Sequence, residues 1–342
     1  MTKKNRTWIL RTILFIGTIV SLYFVPWPIV KAWLAPLPES VQEQVNKATN
    51  YGFDAIIVFV DRKGEKPSYY TAGYQNRESK NPVDPNSLFK IASIDKLYTA
   101  VAITKLLDSG QLSLEKSVAS YFPELEDRIE NADRITLRML IQHRSGIPNF
   151  TNTENFWIDP PNNSRESLER ILDLPANFEP DAEYEYSNTN YLLLSQLIEK
   201  VTGGSKFDYI REKILDPLGL KNTFGSIDNV DINRVLSGYY VGVEEDIKTT
   251  NYGSMLATAE DVAVFLRALN DGSLFEGREQ EIYSSIYKYE HTGLIPGYQS
   301  IAKYHRDIDS VIIQFTNTTD FDGYNWSLSE IMYSRILKII RK

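Results

Sequence analysis

The chain of 342 residues is 42% hydrophobic and 24% charged, enough apolar material to bury a substantial core in one large domain or two interleaved ones. Its net charge of −8 repels a phosphate backbone and excludes nucleic acid as a natural partner, because such binding needs clustered Lys and Arg. The absence of cysteine excludes disulfide scaffolds, thiolate catalysis, cysteine-ligated zinc and lipoprotein attachment together.

At the N-terminus Lys3, Lys4, Arg6 and Arg11 precede the uncharged run Thr12–Val25. The apolar stretch extends from Trp8 through Trp33 if Arg11, Pro26, Pro28 and Lys31 are included, which reaches the roughly 20 residues that a bilayer span requires. Trp27 and Trp33 then fall at the headgroups, and the basic flank places the N-terminus in the cytoplasm. Residues 1–36 therefore read as a cytoplasmic basic tail and an uncleaved transmembrane signal-anchor, and 37–342 as an extracytoplasmic domain. Secretion after signal cleavage is the competing reading. Val30-Lys31-Ala32 is a tolerable small-residue site, but two prolines and the bulky Trp33 beside it make it a poor one.

After the linker Ala35-Pro36-Leu37-Pro38, Glu39–Asn50 reads as a surface helix with Val41, Val45 and Ala48 at helical spacing. Phe53–Val60 and Ser68–Tyr74 are β-branched and aromatic runs joined by the turn Asp61-Arg62-Lys63-Gly64, a hairpin pattern. Helical spacing then dominates in Ser93–Leu107, Thr136–His143, Ser167–Leu174, Asn190–Val201 and Phe207–Leu215, with a loop at Asp159–Ser164. Thr258 with Asp261 opens a helix whose Val262, Phe265, Leu266 and Leu269 face inward. Ser284–Glu290, Ser300–Tyr304 and Ser310–Thr316 read as strands, and Ser327–Ile340 closes the chain as an amphipathic helix.

Strands thus cluster at both ends and helices fill the middle. The layout predicts an α+β fold: one antiparallel sheet built from both chain ends with flanking helices, plus a mostly helical inserted domain. The sheet lobe takes about 50–90 and 280–342, the helical lobe about 95–275.

Three short patterns carry chemistry. Ser93-Ile94-Asp95-Lys96 places an amine one helical turn from a hydroxyl, the pairing that activates a serine nucleophile. Ser87…Lys90 and Ser113…Lys116 repeat the spacing, so context must choose. Only Ser93 directly precedes a long helical run, whose N-terminal N–H groups stabilise an oxyanion; Ser87 reads as a turn residue and Ser113 as a helix cap. Tyr186-Ser187-Asn188 offers a phenol to shuttle the serine proton with Lys96, and an amide to hold that lysine and a substrate amide. The second copy, Tyr74-Gln75-Asn76, lies ahead of Ser93 in a strand. His291-Thr292-Gly293 ends a strand with a cationic or hydrogen-bonding side chain, a hydroxyl and a residue that obstructs no substrate. A lone histidine is more often structural, and His143 and His305 read that way.

Taken in order, Ser93-x-x-Lys96, Tyr186-x-Asn188 and His291-Thr292-Gly293 resemble the three active-site motifs of penicillin-recognising serine enzymes, the penicillin-binding proteins and class C β-lactamases. Phe89-Lys90-Ile91-Ala92-Ser93, Leu140 to Ile147, Tyr186 to Tyr191, Pro217-Leu218-Gly219-Leu220 and Ala257 to Asp261 resemble the same family's signatures, from about Phe53 to the C-terminus. The resemblance implies a β-lactamase/transpeptidase-like fold, Ser93 as acylated nucleophile, and Lys96 and Tyr186 as its proton-transfer partners. It implies substrate binding by Asn188, His291, Thr292 and Gly293, and an oxyanion hole formed by the backbone N–H groups of Ser93 and Leu294. Neither metal nor cofactor is implied.

Two departures bear on substrate. Histidine stands where β-lactamases and many relatives carry a carboxylate-binding lysine, as in related esterases and peptidases, which argues against β-lactam hydrolysis. Glu290 precedes it where a small residue is usual; strand alternation turns that side chain outward, to solvent or a lysine. The expected activity is acyl transfer to water on a small-molecule ester or a peptide, such as a cell-wall D-alanyl peptide. The alternatives are a β-lactamase and a catalytically silent member that binds cell-wall peptide or a partner protein. HExxH and Gly-x-Ser-x-Gly are absent, which disfavours metallohydrolase and α/β-hydrolase chemistry.

Overall fold

The run Ala-Ile-Ile-Val-Phe-Val is apolar at every position, a pattern suited to a strand buried on both faces. In the computed structural model, which describes residues 3–342, this strand, β1 (Ala55–Arg62), divides its side chains between two cores. Ala55, Ile57 and Phe59 enter the larger core, while Ile56, Val58 and Val60 enter the smaller, as the alternation of Cβ directions requires. Around it lie β2 (Ser68–Gly73), β3 (His291–Ile295), β4 (Tyr298–His305) and β5 (Ser310–Thr316). The sheet is antiparallel in the order β2-β1-β5-β4-β3. It is built from both chain ends, as expected, and β3 forms one edge.

Helices cover both faces. The helix Ala259–Asp271 packs on β1, β4 and β5 in the larger core. The cap at Thr258, which accepts from the Asp261 N–H, and the inward set Val262, Phe265, Leu266 and Leu269 stand as the sequence predicts. The C-terminal helix Asn325–Ile340 covers the other face with Leu328, Met332 and Ile336. Between the sheet segments runs the mostly helical part of the chain, including Asp95–Asp108 and Asn188–Thr202, so the α+β expectation is met.

Three local expectations are corrected. Ser284–Glu290 is not a strand: residues Glu279–Ile286 are helical. Tyr283 and Ile286 are buried while Ser284 and Ser285 are exposed, a spacing of three that the aromatic content of the segment masks. His291 therefore opens a strand rather than ending one. The helix expected over Ser167–Leu174 occupies Ser164–Glu169, because Asn163 accepts from the Glu166 N–H at 3.0 Å and starts it early. Ser113 caps no helix; Ser117 caps the next one, Val118–Tyr121.

The N-terminal apolar segment is also divided. A first helix, α1, runs over Lys3–Tyr23 and is exposed along its described side chains. Its stretch Asn5–Tyr23 is long and apolar enough to cross a membrane. Met1, Thr2 and the side chains of Lys3 and Lys4, part of the basic flank, lie outside the described residues. Pro26 interrupts the run, and a second helix, α2 (Trp27–Leu34), lies against the C-terminal helix with Ala32 buried. The apolar stretch from Trp8 to Trp33 thus forms two helices, the second of which packs on the domain.

Candidate active site

Ser93 stands at a junction between sheet and helix. The two-residue strand Phe89–Lys90 pairs with Leu256–Ala257, and the pairing continues as the Ile91 N–H donates to the Met255 carbonyl at 3.0 Å. The Ala92 N–H donates to Ser254 Oγ at 2.9 Å. Ala92 itself adopts φ +50°, a left-handed conformation that costs a residue with a Cβ roughly 1–2 kcal/mol. This strained turn leads into a short 3-10 turn, Ala92–Ile94, and then the helix Asp95–Asp108. The helix is fixed by its buried side chains Leu97, Tyr98, Val101 and Leu106, and Lys96 returns one turn later beneath Ser93.

The three groups that the first two motifs supply converge. Tyr186 Oη donates to Ser93 Oγ at 2.7 Å, and Lys96 Nζ reaches the same oxygen at 3.1 Å. Lys96 Nζ also donates to Asn188 Oδ1 at 2.8 Å, and Asn188 Nδ2 donates to Thr151 Oγ1 at 3.1 Å. That second bond orients the amide with its oxygen towards the lysine. Lys96 is buried, 5.0 Å from the Tyr186 ring centre and 5.4 Å from that of Tyr191. Asp95, within the same motif, turns aside to pair with Lys206 at 2.8 Å.

The third motif occupies the edge strand β3, packed against the turn that presents Ser93. A Cβ on Gly293 would lie 2.4 Å from the Ile91 carbonyl oxygen and 2.4 Å from Ser300 Oγ. The missing side chain therefore makes room for the turn that presents Ser93, rather than only for substrate as the sequence suggests. Thr292 is half-buried and Leu294 is exposed on the same strand. His291 differs most from expectation. It is buried, its Nδ1 lies 2.5 Å from the Thr292 carbonyl oxygen, and its Nε2 lies 3.1 Å from the Tyr287 hydroxyl. Burial, then the charges of Lys288 and Lys96, hold its pKa well below the usual imidazole range. The ring is neutral with both nitrogens engaged by the protein, so this position offers a substrate neither a cation nor a free nitrogen. Glu290 forms an ion pair with Lys303 at 3.3 Å, the outward orientation that strand alternation predicts.

Sequence reasoning missed the support beneath these groups. His143, read as structural, lies beside Tyr186 with ring centres 4.5 Å apart. Thr151 and Tyr287 carry no sequence signal, and Tyr191 enters only as the last residue of the signature Tyr186 to Tyr191. The signature Leu140–Ile147 was the available signal, but it does not show that the segment laces onto residues 185–190.

A serine hydroxyl held between a buried lysine and a phenol, on an α+β fold with an antiparallel sheet, defines the class of serine acyl-transfer enzymes with a Ser-x-x-Lys nucleophile. The beta-lactamase family model matches residues 54–285, and the chain belongs to that family, the serine hydrolases of β-lactamase and penicillin-binding-protein fold. By sequence it is 27% identical over 267 residues to penicillin-binding protein 4* of Bacillus subtilis, covering 76% of this chain and 56% of that protein. It is 27% identical over 231 residues to protein flp of Staphylococcus aureus strain MW2, covering 65% of this chain and 45% of the relative. The chain thus spans about half the length of these relatives. By structure it is similar to D-amino acid amidase from Ochrobactrum anthropi SV3 complexed with D-phenylalanine. The TM-score is 0.78 at 24% identity, covering 88% of this chain and 98% of that one. The penicillin-binding protein from Bacillus halodurans follows at TM-score 0.69 and 20% identity, covering 83% and 96%.

Proposed function

We propose that this protein is a membrane-anchored, extracytoplasmic serine hydrolase that forms an acyl-enzyme on Ser93 from an ester or peptide substrate. The observation that carries the reading is the pair of short contacts on Ser93 Oγ, 2.7 Å to the phenol of Tyr186 and 3.1 Å to the amine of Lys96. In the reaction Ser93 Oγ attacks the carbonyl carbon, and its proton passes into the Tyr186–Lys96 pair. The developing oxyanion is held by the N–H groups of Ser93 and Leu294. The same pair returns the proton to the leaving oxygen or nitrogen as the carbonyl bond to it breaks. Water then attacks the acyl ester by the reverse route and frees Ser93. Asn188, with its Nδ2 bonded to Thr151, keeps Lys96 aimed at Ser93, and together with Thr292 it binds the substrate.

The substrate class follows from what the site lacks. A neutral His291 with both nitrogens engaged cannot bind the carboxylate that a lysine would bind there, which disfavours a β-lactamase and favours esters or peptides bound through other groups. The intact hydrogen-bonded trio argues against a silent binding role. The apolar helix Asn5–Tyr23 behind a basic flank supports anchoring with the domain outside the cytoplasm.

A fluorescent fluorophosphonate tests the enzyme reading, because it reacts only with an activated serine. The expected result is labelling of the wild-type chain that Ser93→Ala abolishes; labelling that persists in Ser93→Ala, or none in the wild type, overturns it. Parallel p-nitrophenyl esters, D-Ala-D-Ala peptides and nitrocefin then rank the substrate classes, with nitrocefin expected last.

A further inference from the structure

Tyr186 reaches Ser93 from a segment, residues 182–187, that belongs to no helix or strand. A phenol that must sit 2.7 Å from its partner needs its backbone fixed from outside, because an unsupported loop does not hold a side chain to a few tenths of an ångström. One residue supplies bonds on both sides of it. The His143 carbonyl accepts the N–H of Glu185 at 3.0 Å, and His143 Nδ1 accepts the N–H of Ser187 at 3.2 Å. The imidazole also lies beside the phenol ring, centres 4.5 Å apart at 32°, with the Tyr191 ring on it at 5.2 Å and 29°.

We infer that His143 is a positioning residue for the proton-transfer partner Tyr186, acting as a neutral hydrogen-bond acceptor that clamps the backbone on both sides of the phenol; this rests on the serine hydrolase reading above.

Three further observations agree. First, accepting an N–H at Nδ1 places the ring's single proton on Nε2. Nε2 is buried without a hydrogen-bond partner among the described residues, and the second proton of an imidazolium would have to go on Nδ1, where the Ser187 N–H already points. Burial and then the charge of Lys96 lower the pKa to about 3, and the clamp keeps its acceptor through the neutral range. Second, the residue's own conformation is built for the task. His143 sits at φ +57°, the left-handed bend that lets one residue offer its carbonyl and its ring to the same strand of loop. Third, the following residues continue the lacing: Ser145 Oγ donates to Asn190 Oδ1 at 2.8 Å, and the Asn188 N–H donates to Asn149 Oδ1 at 3.0 Å. The lysine-facing Asn188 is thus fixed by the same segment as Tyr186.

The test separates the acceptor from the ring. His143→Asn places a side-chain oxygen near the position of Nδ1 and tolerates a left-handed φ. His143→Phe keeps a ring and removes the acceptor. His143→Gly removes both and is free of strain at this φ, so it keeps the test standing if the Phe variant does not fold. The readout is the second-order rate of fluorophosphonate labelling in the full chain, with melting temperature measured alongside. His143→Asn is expected to stay within about fivefold of wild type, and the acceptor-less variants to fall by ~30-fold or more, towards the ~100-fold that losing a general acid–base group costs. Coupling decides between positioning and mere stability. If the clamp acts through Tyr186, adding Tyr186→Phe to an acceptor-less variant lowers the rate by less than about threefold further, because a misplaced phenol has little left to lose. Fully additive losses, or acceptor-less variants that label at the wild-type rate, overturn the assignment. A wild-type chain that takes no label overturns the hydrolase reading, and this assignment with it.

Discussion

Around Ser93, each polar side chain has one partner that positions it and one that it acts on. Lys96 touches both Asn188 and Ser93; Tyr186 touches Ser93 and rests on His143. On the proposed mechanism, removing Lys96 or Tyr186 should therefore cost far more than removing a surface contact. Lys96→Ala and Tyr186→Phe are each expected to lower the labelling rate and any hydrolysis by at least ~100-fold, read from initial rates with the melting temperature unchanged within a few degrees. The motif copies show why spacing alone was a poor guide. Ser87 Oγ donates to Gln75 at 2.8 Å while Lys90 Nζ donates to the Thr250 carbonyl at 2.6 Å, and Lys116 lies 4.9 Å from the ring centre of Tyr121. Neither pair converges on a shared atom. What the sequence carried was the identity and order of the groups that meet at Ser93; the partners of His143 and His291 depend on burial, which no local pattern encodes. That burial has a consequence in acid. The pKa of His143 falls from 6.5 to about 3 and that of His291 falls well below 6.5, so between these limits the unfolded chain binds more protons than the folded one. Stability should then fall as pH drops below about 6.5, by up to ~1.4 kcal/mol per pH unit for each such ring. Urea unfolding at pH 7.5, 6 and 5 checks this, and His143→Asn is expected to flatten the slope.

Among the elements, those with a strong, single period were legible. β1, β5 and the helix Ala259–Asp271 lie within a few residues of where their apolar patterns placed them. The helix Glu279–Ile286 was not, because it is short and its tyrosine and two isoleucines also suit a strand. The consequence reached the site: reading it as a strand placed His291-Thr292-Gly293 at a strand's end, whereas these residues begin β3 and pack along the nucleophile's turn. Gly293 is the contact point between those two elements, and its substitution is the sharpest probe of their packing. The Cβ of Gly293→Ala would meet the Ile91 carbonyl oxygen, a backbone atom that cannot swing away, at 2.4 Å. Either β3 or the Ser93 turn must shift. The expected result is a loss of about 1–3 kcal/mol of stability, the usual cost of overpacking, with a fall in labelling rate larger than any lowering of the folded population explains. Melting curves and labelling rates measured on the same samples separate the two effects.

For the whole molecule, the division between the N-terminal apolar segment and the domain depends on a contact that the sequence did not reveal. Composition marked one apolar segment up to Trp33, but α2 and the linker after it are tied to the far end of the chain. Arg335, 6% exposed on the C-terminal helix, donates to the carbonyls of Ala35 at 2.8 Å and Pro36 at 2.7 Å and to Gln44 Oε1 at 2.8 Å. A buried guanidinium satisfied by three neutral acceptors is costly to disturb from either side, since losing it leaves those carbonyls without donors. The link also explains why Ala32 is 1% exposed while Trp33 and Leu34 are 67% and 66% exposed: α2 presents one face to the domain and the other outward. On the anchored reading, the domain then does not swing on a loose tether but meets the membrane surface through α2. Replacing Arg335 with Leu should release this segment while the sheet stays intact, because the guanidinium's hydrogen bonds go to Gln44, Ala35 and Pro36, none of them in a strand. The expected outcome in detergent or nanodiscs is a loss of about 1–3 kcal/mol, and faster tryptic cleavage after the exposed Lys31, with fluorophosphonate labelling of Ser93 retained. Cleavage at an unchanged rate would mean that the helix holds to the domain through its apolar face alone, and that Arg335 serves only the C-terminal helix.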